Sequence, residues 1–230
     1  MARSNPFKSS IGLKLIMALT GLFLFGFTIV HMLGNLQVFE APDAINHYAH
    51  VLQSNPALVW TFRILLLLAV LLHIDAAVRL TRRNRASRPQ PYARINANGA
   101  TLASRTMFVG GLVVAVFIVF HILHFTVMAG PFHEFSTYRT TVPGVPDPVH
   151  DVHRMIVTAF QNLWVSSFYI VAVAFLGLHL KHGGAALFRT LGIGNQITFG
   201  WQNWVARLFA LAVFLGMEAV PIGVLLGVVK

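Results

Sequence analysis

The stretch 11–36 reads IGLKLIMALTGLFLFGFTIVHMLGNL, and its reading decides the fold. Between Leu15 and Val30 it carries no charged residue. About 20 apolar residues cross a hydrocarbon core of ~30 Å, so a run of this length predicts a membrane-spanning helix. His31 stands near its far end. An imidazole at that depth is costly without a partner, which makes intramembrane ionisable residues functional candidates by default. A lone histidine on an apolar face is more often a satisfied polar residue than a ligand. The meaning of His31 therefore turns on whether the rest of the chain supplies a partner.

The composition points the same way. Of 230 residues, 56% are hydrophobic and only 10% charged, and the mean hydropathy is +0.69. These values describe a membrane protein rather than a soluble domain. The formal charge of +10 raises nucleic acid as a partner. The basic residues, however, sit in short loops between apolar runs, which suits membrane orientation and lipid contact, so no nucleic-acid partner is expected. The absence of cysteine excludes disulfides, thiolate-ligated iron–sulfur clusters and cysteine nucleophiles within this chain. Arg3, Lys8 and Lys14 before an apolar run resemble a signal peptide, but the run is too long and lacks an Ala-x-Ala exit.

Five apolar segments are long enough to span: 11–38, 57–80, 102–129, 155–181 and 203–229. The longest gap, 130–154, contains Pro131, Pro143, Pro146 and Pro148 and reads as an irregular extramembrane loop. On one side of the spans lie Arg3, Lys8, Lys14, the seven basic residues from Arg79 to Arg105, Lys181, Arg189 and Arg207. The other side has only Arg63, Arg139, Arg154 and Lys230. The positive-inside rule then places the N-terminus in the cytoplasm and the C-terminus outside. Trp60 and Trp164 fall at the outer interface, and Trp201 and Trp204 at the inner one, as interfacial aromatic belts do. The expected fold is an all-α integral membrane protein, a single domain 1–230 of five transmembrane helices.

Each of the first four spans carries histidine in its final third: His31, then His73, then His121 with His124, then His179 with His182. Adjacent spans run in opposite directions. His31 and His121 therefore share the outer depth, and His73 and His179 share the inner depth. At a rise of 1.5 Å per residue the two levels lie on the order of 15 Å apart. Two histidines on facing helices at one depth are what bis-imidazole ligation of a b-type haem requires. Two depth-matched pairs outweigh the bland reading that each histidine carries alone. Nearby glycines (Gly21, Gly26, Gly34, Gly110, Gly111, Gly177, Gly183) suit a flat macrocycle, and equally suit ordinary close helix packing. His124 and His182 each follow a candidate ligand by three residues and share its helix face, so depth alone does not separate them. They are assigned to the interfacial edge, solvated or hydrogen-bonded to a haem propionate.

Met17-Ala18-Leu19-Thr20-Gly21 followed by His31-Met32-Leu33-Gly34-Asn35 resembles the first helix of the dihaem cytochrome b558 membrane-anchor subunit of succinate:quinone oxidoreductases. Leu72-His73 closing the second span is similar to that family as well. So are Gly111 ten residues before His121 in Phe120-His121-Ile122-Leu123-His124-Phe125, and His179-Leu180-Lys181-His182-Gly183. The resemblance covers essentially the whole chain. It implies two haems b, with His31 and His121 ligating the distal one and His73 and His179 the proximal one, in agreement with the depths. It further implies a bacterial cytoplasmic membrane, and a flavoprotein subunit and an iron–sulfur subunit of complex II as partners. Electrons would pass through this chain to a quinone, with menaquinone expected. Some relatives carry a glutamate two residues before the proximal ligand of the fourth span; Gly177 stands there in this chain. Two other readings stay open: the dihaem anchor of another quinone-reactive enzyme, of nitrate reductase or hydrogenase type, and a haem-free membrane protein whose histidines carry protons.

The remaining polar residues divide by depth. Thr20, Ser104, Arg105 and Arg189, with His182, lie on the inner side and are candidates to meet the proximal haem's propionates. Asp75 and Arg79 read as an i,i+4 ion pair. Arg82, Arg83, Arg85 and Arg88 read as an orientation and headgroup feature, or by resemblance as a face for the iron–sulfur partner. Glu40, His47, His50, Gln53 and Arg63, at the outer side, offer the hydrogen-bonding and proton-exchanging groups that a quinone needs, though each taken singly is an ordinary loop residue. His133, His150 and His153 lack carboxylate support for a metal. Glu218, deep in the fifth span and three residues before Pro221, is the candidate for a proton path.

Overall fold

A computed structural model describes residues 9–87, 102–193 and 199–230, with the side chains of 102–105 and 199 outside that set. Five helices in it are long and apolar enough to cross a membrane. The first, α1 (Ser10–Leu36), is capped by Ser9, whose side chain accepts from Gly12 N–H at 2.9 Å. A 3₁₀ turn, Gln37–Phe39, leads into α2 (Pro42–Gln53). Pro at the first helical position and Asp43 in the first turn start α2, and Ile45 and Asn46 are its buried side.

The second span, α3 (Pro56–Ala86), begins under an Asn55 cap and continues past Leu80, where the apolar run ends. At 1.5 Å per residue its 31 residues extend about 46 Å, so the turns bearing Arg82, Arg83 and Arg85 project beyond a ~30 Å core. Arg79 and Asp75 form the expected ion pair, N to O 3.1 Å. Arg88, Arg3 and Lys8 lie outside the described residues.

The third span, α4 (Leu102–Ile122), runs on as a π turn over Leu123–Val127 and ends at Met128, whose φ of 52° is left-handed. A 3₁₀ segment over Gly130–Thr137 follows, then a small antiparallel hairpin of β1 (Arg139–Thr140) and β2 (Val149–His150), with Arg139 opposite His150.

The fourth span departs from expectation. The helix predicted over 155–181 is two helices, α5 (Val152–Gln161) and α6 (Leu163–Thr190), broken at Asn162 with ψ 112°. The Asn162 side chain accepts from Trp164 N–H and Val165 N–H and so caps α6 instead of continuing α5. α5 is amphipathic and buries Met155, Ile156, Val157, Ala159 and Phe160. The fifth span, α7 (Phe199–Leu225), contains Pro221, which cannot donate to the carbonyl of Met217, and a left-handed Gly227 follows its end.

α1 packs on α3, α6 and α7, and α6 packs on α4 and α7. The closely packed helix pairs include neither α1 with α4 nor α3 with α6. At one end α2, the hairpin and α5 form a layer over the bundle. Val38, Ile45, Ile156, Val157, Phe160, Tyr169, Val220, Val224 and Val229 make its apolar interior. Asn46 pins that layer, donating to Asp151 Oδ1 at 3.2 Å and accepting from His153 N–H at 2.9 Å. Gly34 allows the close approach of α2 to α1, because a Cβ there would lie 2.8 Å from Tyr48 Cε1.

Candidate functional site: two facing histidine pairs

The histidines near the ends of the first four spans face one another in two pairs. His31 on α1 and His121 on α4 have ring centres 5.6 Å apart, and His73 on α3 and His179 on α6 have ring centres 6.2 Å apart. Each pair bridges two helices that are not packed neighbours, so side chains rather than backbones meet there. Two imidazoles sharing one metal atom, each nitrogen about 2 Å from it, hold their ring centres roughly 6 Å apart. Both pairs have that spacing.

The backbone around them is shaped to match. A Cβ at Gly21 would stand 3.3 Å from His73 Cε1, and one at Gly111 would stand 3.6 Å from His179 Cε1. α1 therefore brings Gly21 to the inner pair and, ten residues on, His31 to the outer one; α4 does the same with Gly111 and His121. Ten residues at 1.5 Å put the levels about 15 Å apart. The donor set of each pair fits a bis-imidazole-ligated metal, and the two glycines, both at the inner pair, leave room there for a flat macrocycle.

The hydrogen bonds add detail that the sequence did not show. Thr20 Oγ1 donates to the Ile16 carbonyl at 2.7 Å and lies 3.2 Å from His73 Nδ1. With its own proton committed, the threonine oxygen is left to accept from His73 Nδ1–H, which keeps His73 Nε2 unprotonated and free to ligate. Thr20 thus braces a histidine. His179 Nδ1 is buried with no hydrogen-bond partner among the described residues. His31 stacks on Phe27, ring centres 5.2 Å apart.

His124 is a correction. Expected at the interfacial edge, it is fully buried, enclosed by Phe120, Phe125, Phe132 and Phe135. The π turn that follows Ile122 carries it off the regular α-helical path, and the Tyr169 hydroxyl lies 2.9 Å from its Nδ1. His182 is half-buried one turn beyond His179, and Arg189 is exposed nearer the end of α6. Ser104 and Arg105 have side chains outside the described residues.

At the end of the bundle covered by α2 and α5, His50 and Gln53 line a cleft of ≈ 250 Å³ with Ala49, Arg139, Asp147 and His150. The last three come from the hairpin, where the sequence predicts an irregular loop. Arg139 donates to the Ser136 and Tyr138 carbonyls, which fixes its stem at the cleft wall. Burial, and next the Arg139 guanidinium, push the His150 imidazole below its ordinary value. Glu40 and His47 are exposed and do not line this cleft, and neither does Arg63, which is exposed with its guanidinium 5.2 Å from the Trp60 ring. The five outer candidates thus separate into two that converge and three that do not.

Glu218 is 4% exposed, and neither carboxyl oxygen has a hydrogen-bond partner among the described residues. Two residues before it, Gly216 packs against the Met32 side chain, so Glu218 lies near the depth of His31. Comparisons with protein-family models, with curated proteins and with solved structures find no match to this chain.

Proposed function

We propose that this chain is the dihaem cytochrome b membrane anchor of a succinate:quinone oxidoreductase. His31 and His121 would ligate the outer haem, and His73 and His179 the inner one. The single observation that carries the reading is the pair of facing, metal-spaced histidine couples about 15 Å apart. When bound, the haems supply one-electron transfer between the two membrane surfaces. The chain's own residues do the rest. Thr20 holds the proton of His73 away from the ligating nitrogen, and Gly21 and Gly111 keep the space beside the inner imidazoles open.

At the outer end His50 and Gln53, with Arg139 and His150, would present hydrogen bonds to the carbonyls of a quinone, of menaquinone type. Glu218, buried near that level without a partner, would hold a proton on the route to it. The positive-inside asymmetry favours a cytoplasmic N-terminus and an external C-terminus in a bacterial cytoplasmic membrane. It also favours docking of the flavoprotein and iron–sulfur subunits at the basic inner end. No flavin fingerprint and no cysteine stands in the chain, so succinate oxidation itself belongs to those partners.

The test is an optical spectrum of the purified chain before and after dithionite. Two haems b per chain are expected, and His31→Ala and His73→Ala should each remove one and leave the other. No b-type band would overturn the cytochrome reading in favour of a haem-free, proton-coupled protein. A molybdenum or nickel enzyme co-purifying in place of a flavoprotein would move the chain to another respiratory complex.

A further inference from the structure

Tyr169 lies on α6 ten residues before His179, which puts it at the level of the outer pair. It is 5% exposed, and its hydroxyl meets two imidazoles at once: His124 Nδ1 at 2.9 Å and His121 Nδ1 at 3.3 Å. Three groups that are costly to bury are thus joined to one another inside a shell of Phe117, Phe120, Phe125 and Phe160. Packing alone does not ask for this. A phenylalanine at 169 and a leucine at 124 would fill the same space with no polar atoms to satisfy.

We infer that Tyr169 and His124 are a built hydrogen-bond relay that orients His121 and sets the electron-donating strength of its ring toward the outer haem. The inference rests on the dihaem reading above. Once the other ring nitrogen of His121 is bound to iron, Nδ1 must carry its proton and donate to the Tyr169 oxygen. The phenol then has one proton to give, and among the described residues the acceptor in reach is His124 Nδ1. Each donation polarises the next, so the bond to His124 makes the phenol oxygen a better acceptor for His121. A ligand whose N–H is drawn toward an acceptor is the more basic, and it favours the oxidised metal.

The arrangement has a counterpart at the inner level, where the Thr20 hydroxyl from α1 stands 3.2 Å from His73 Nδ1 after giving its own proton to Ile16. In each pair one ligand is braced by a hydroxyl from a neighbouring helix. The braces differ in kind: the inner one ends on a helix carbonyl, and the outer one ends on a second buried imidazole. Tyr169 is a positioning residue, as it acts through His121, and His124 acts through Tyr169.

The experiment is a redox titration of each haem in the detergent-purified full chain, followed by visible and EPR spectra, with the outer haem identified as the one lost in His31→Ala. Wild type is measured first. Fewer than two haems b there overturns the dihaem reading itself, independently of Tyr169. Given two haems, Tyr169→Phe should raise the midpoint potential of the outer haem and alter its EPR line while leaving the inner haem unchanged. A roughly tenfold change in the reduction equilibrium is expected, which for one electron is 59 mV. Unchanged potentials with both haems retained, or equal shifts in both, overturn the inference. Should Tyr169→Phe lose the outer haem, His124→Leu decides. This variant keeps the phenol but removes its acceptor, so a smaller upward shift confined to the outer haem supports the relay, and an unmoved potential overturns it.

Discussion

At the scale of single residues, the buried polar groups separate those that the fold uses from those it tolerates. Glu218 is the sharpest case, because the described structure offers its carboxyl oxygens no partner. Replacing an unpaired buried ionisable group with an apolar residue of similar volume commonly stabilises a protein. Glu218→Met is therefore expected to raise the stability of the detergent-solubilised chain by about 1 kcal/mol in thermal unfolding. If Glu218 carries protons as proposed, the same variant lowers quinone-linked turnover of the assembled complex several-fold. A more stable chain with unchanged turnover would remove Glu218 from the proton route. How far such residues could be read in advance depended on what set their position. Histidine pairing was legible, since depth follows from place along a span and from chain direction. The choice between His121 and His124 was not, because residues three apart share a helix face. The π turn leaves His121 facing His31 and carries His124 among phenylalanines, and neither arrangement leaves a periodic trace in the sequence.

At the scale of elements, the spans were legible from hydropathy, and the layer over their outer ends was not. α2 and α5 are short and amphipathic, so long-window hydropathy either passes over them or fuses them with a neighbouring span. Their signals are local: Pro42 with Asp43 opening one helix, Asp151 capping the next and Asn162 ending it. This layer contains the titrating group whose sign can be worked out. His150 on β2 has its folded value pushed below the ordinary 6.5, chiefly by burial and then by Arg139. As pH falls through 6.5, the opened layer binds a proton on this imidazole before the closed layer does. Stability that is present above 6.5 is thus lost progressively as pH drops toward the folded value. Hydrogen exchange of the α2 and α5 amides, corrected for intrinsic rates, should be faster at pH 5.5 than at pH 7.5. His150→Gln should flatten that dependence. A slope that survives the substitution would assign it to another group.

At the scale of the whole molecule, five crossings would put the termini on opposite membrane faces, and under the proposed function the direction decides which histidine pair meets which partner. The basic turns of α3 extend past the apolar run, and Trp60 and Trp164, 59% and 86% exposed, lie at the opposite ends of α3 and α6. Burying the Arg82–Arg85 end in the lipid core instead would cost several kcal/mol, so the frame has little freedom to slide. The chain's lack of cysteine makes the direction directly measurable. Ser54, between α2 and α3, and Ser87, the cap that ends α3, are exposed positions at opposite ends of one span. In intact cells a membrane-impermeant maleimide should label Ser54→Cys at once and Ser87→Cys only after permeabilisation. The reverse pattern would put the His31–His121 pair and the His50 cleft on the cytoplasmic side. The outer pair would then be the electron entry and the basic end could not dock a cytoplasmic partner, so the proposed direction of electron flow would fall with the topology.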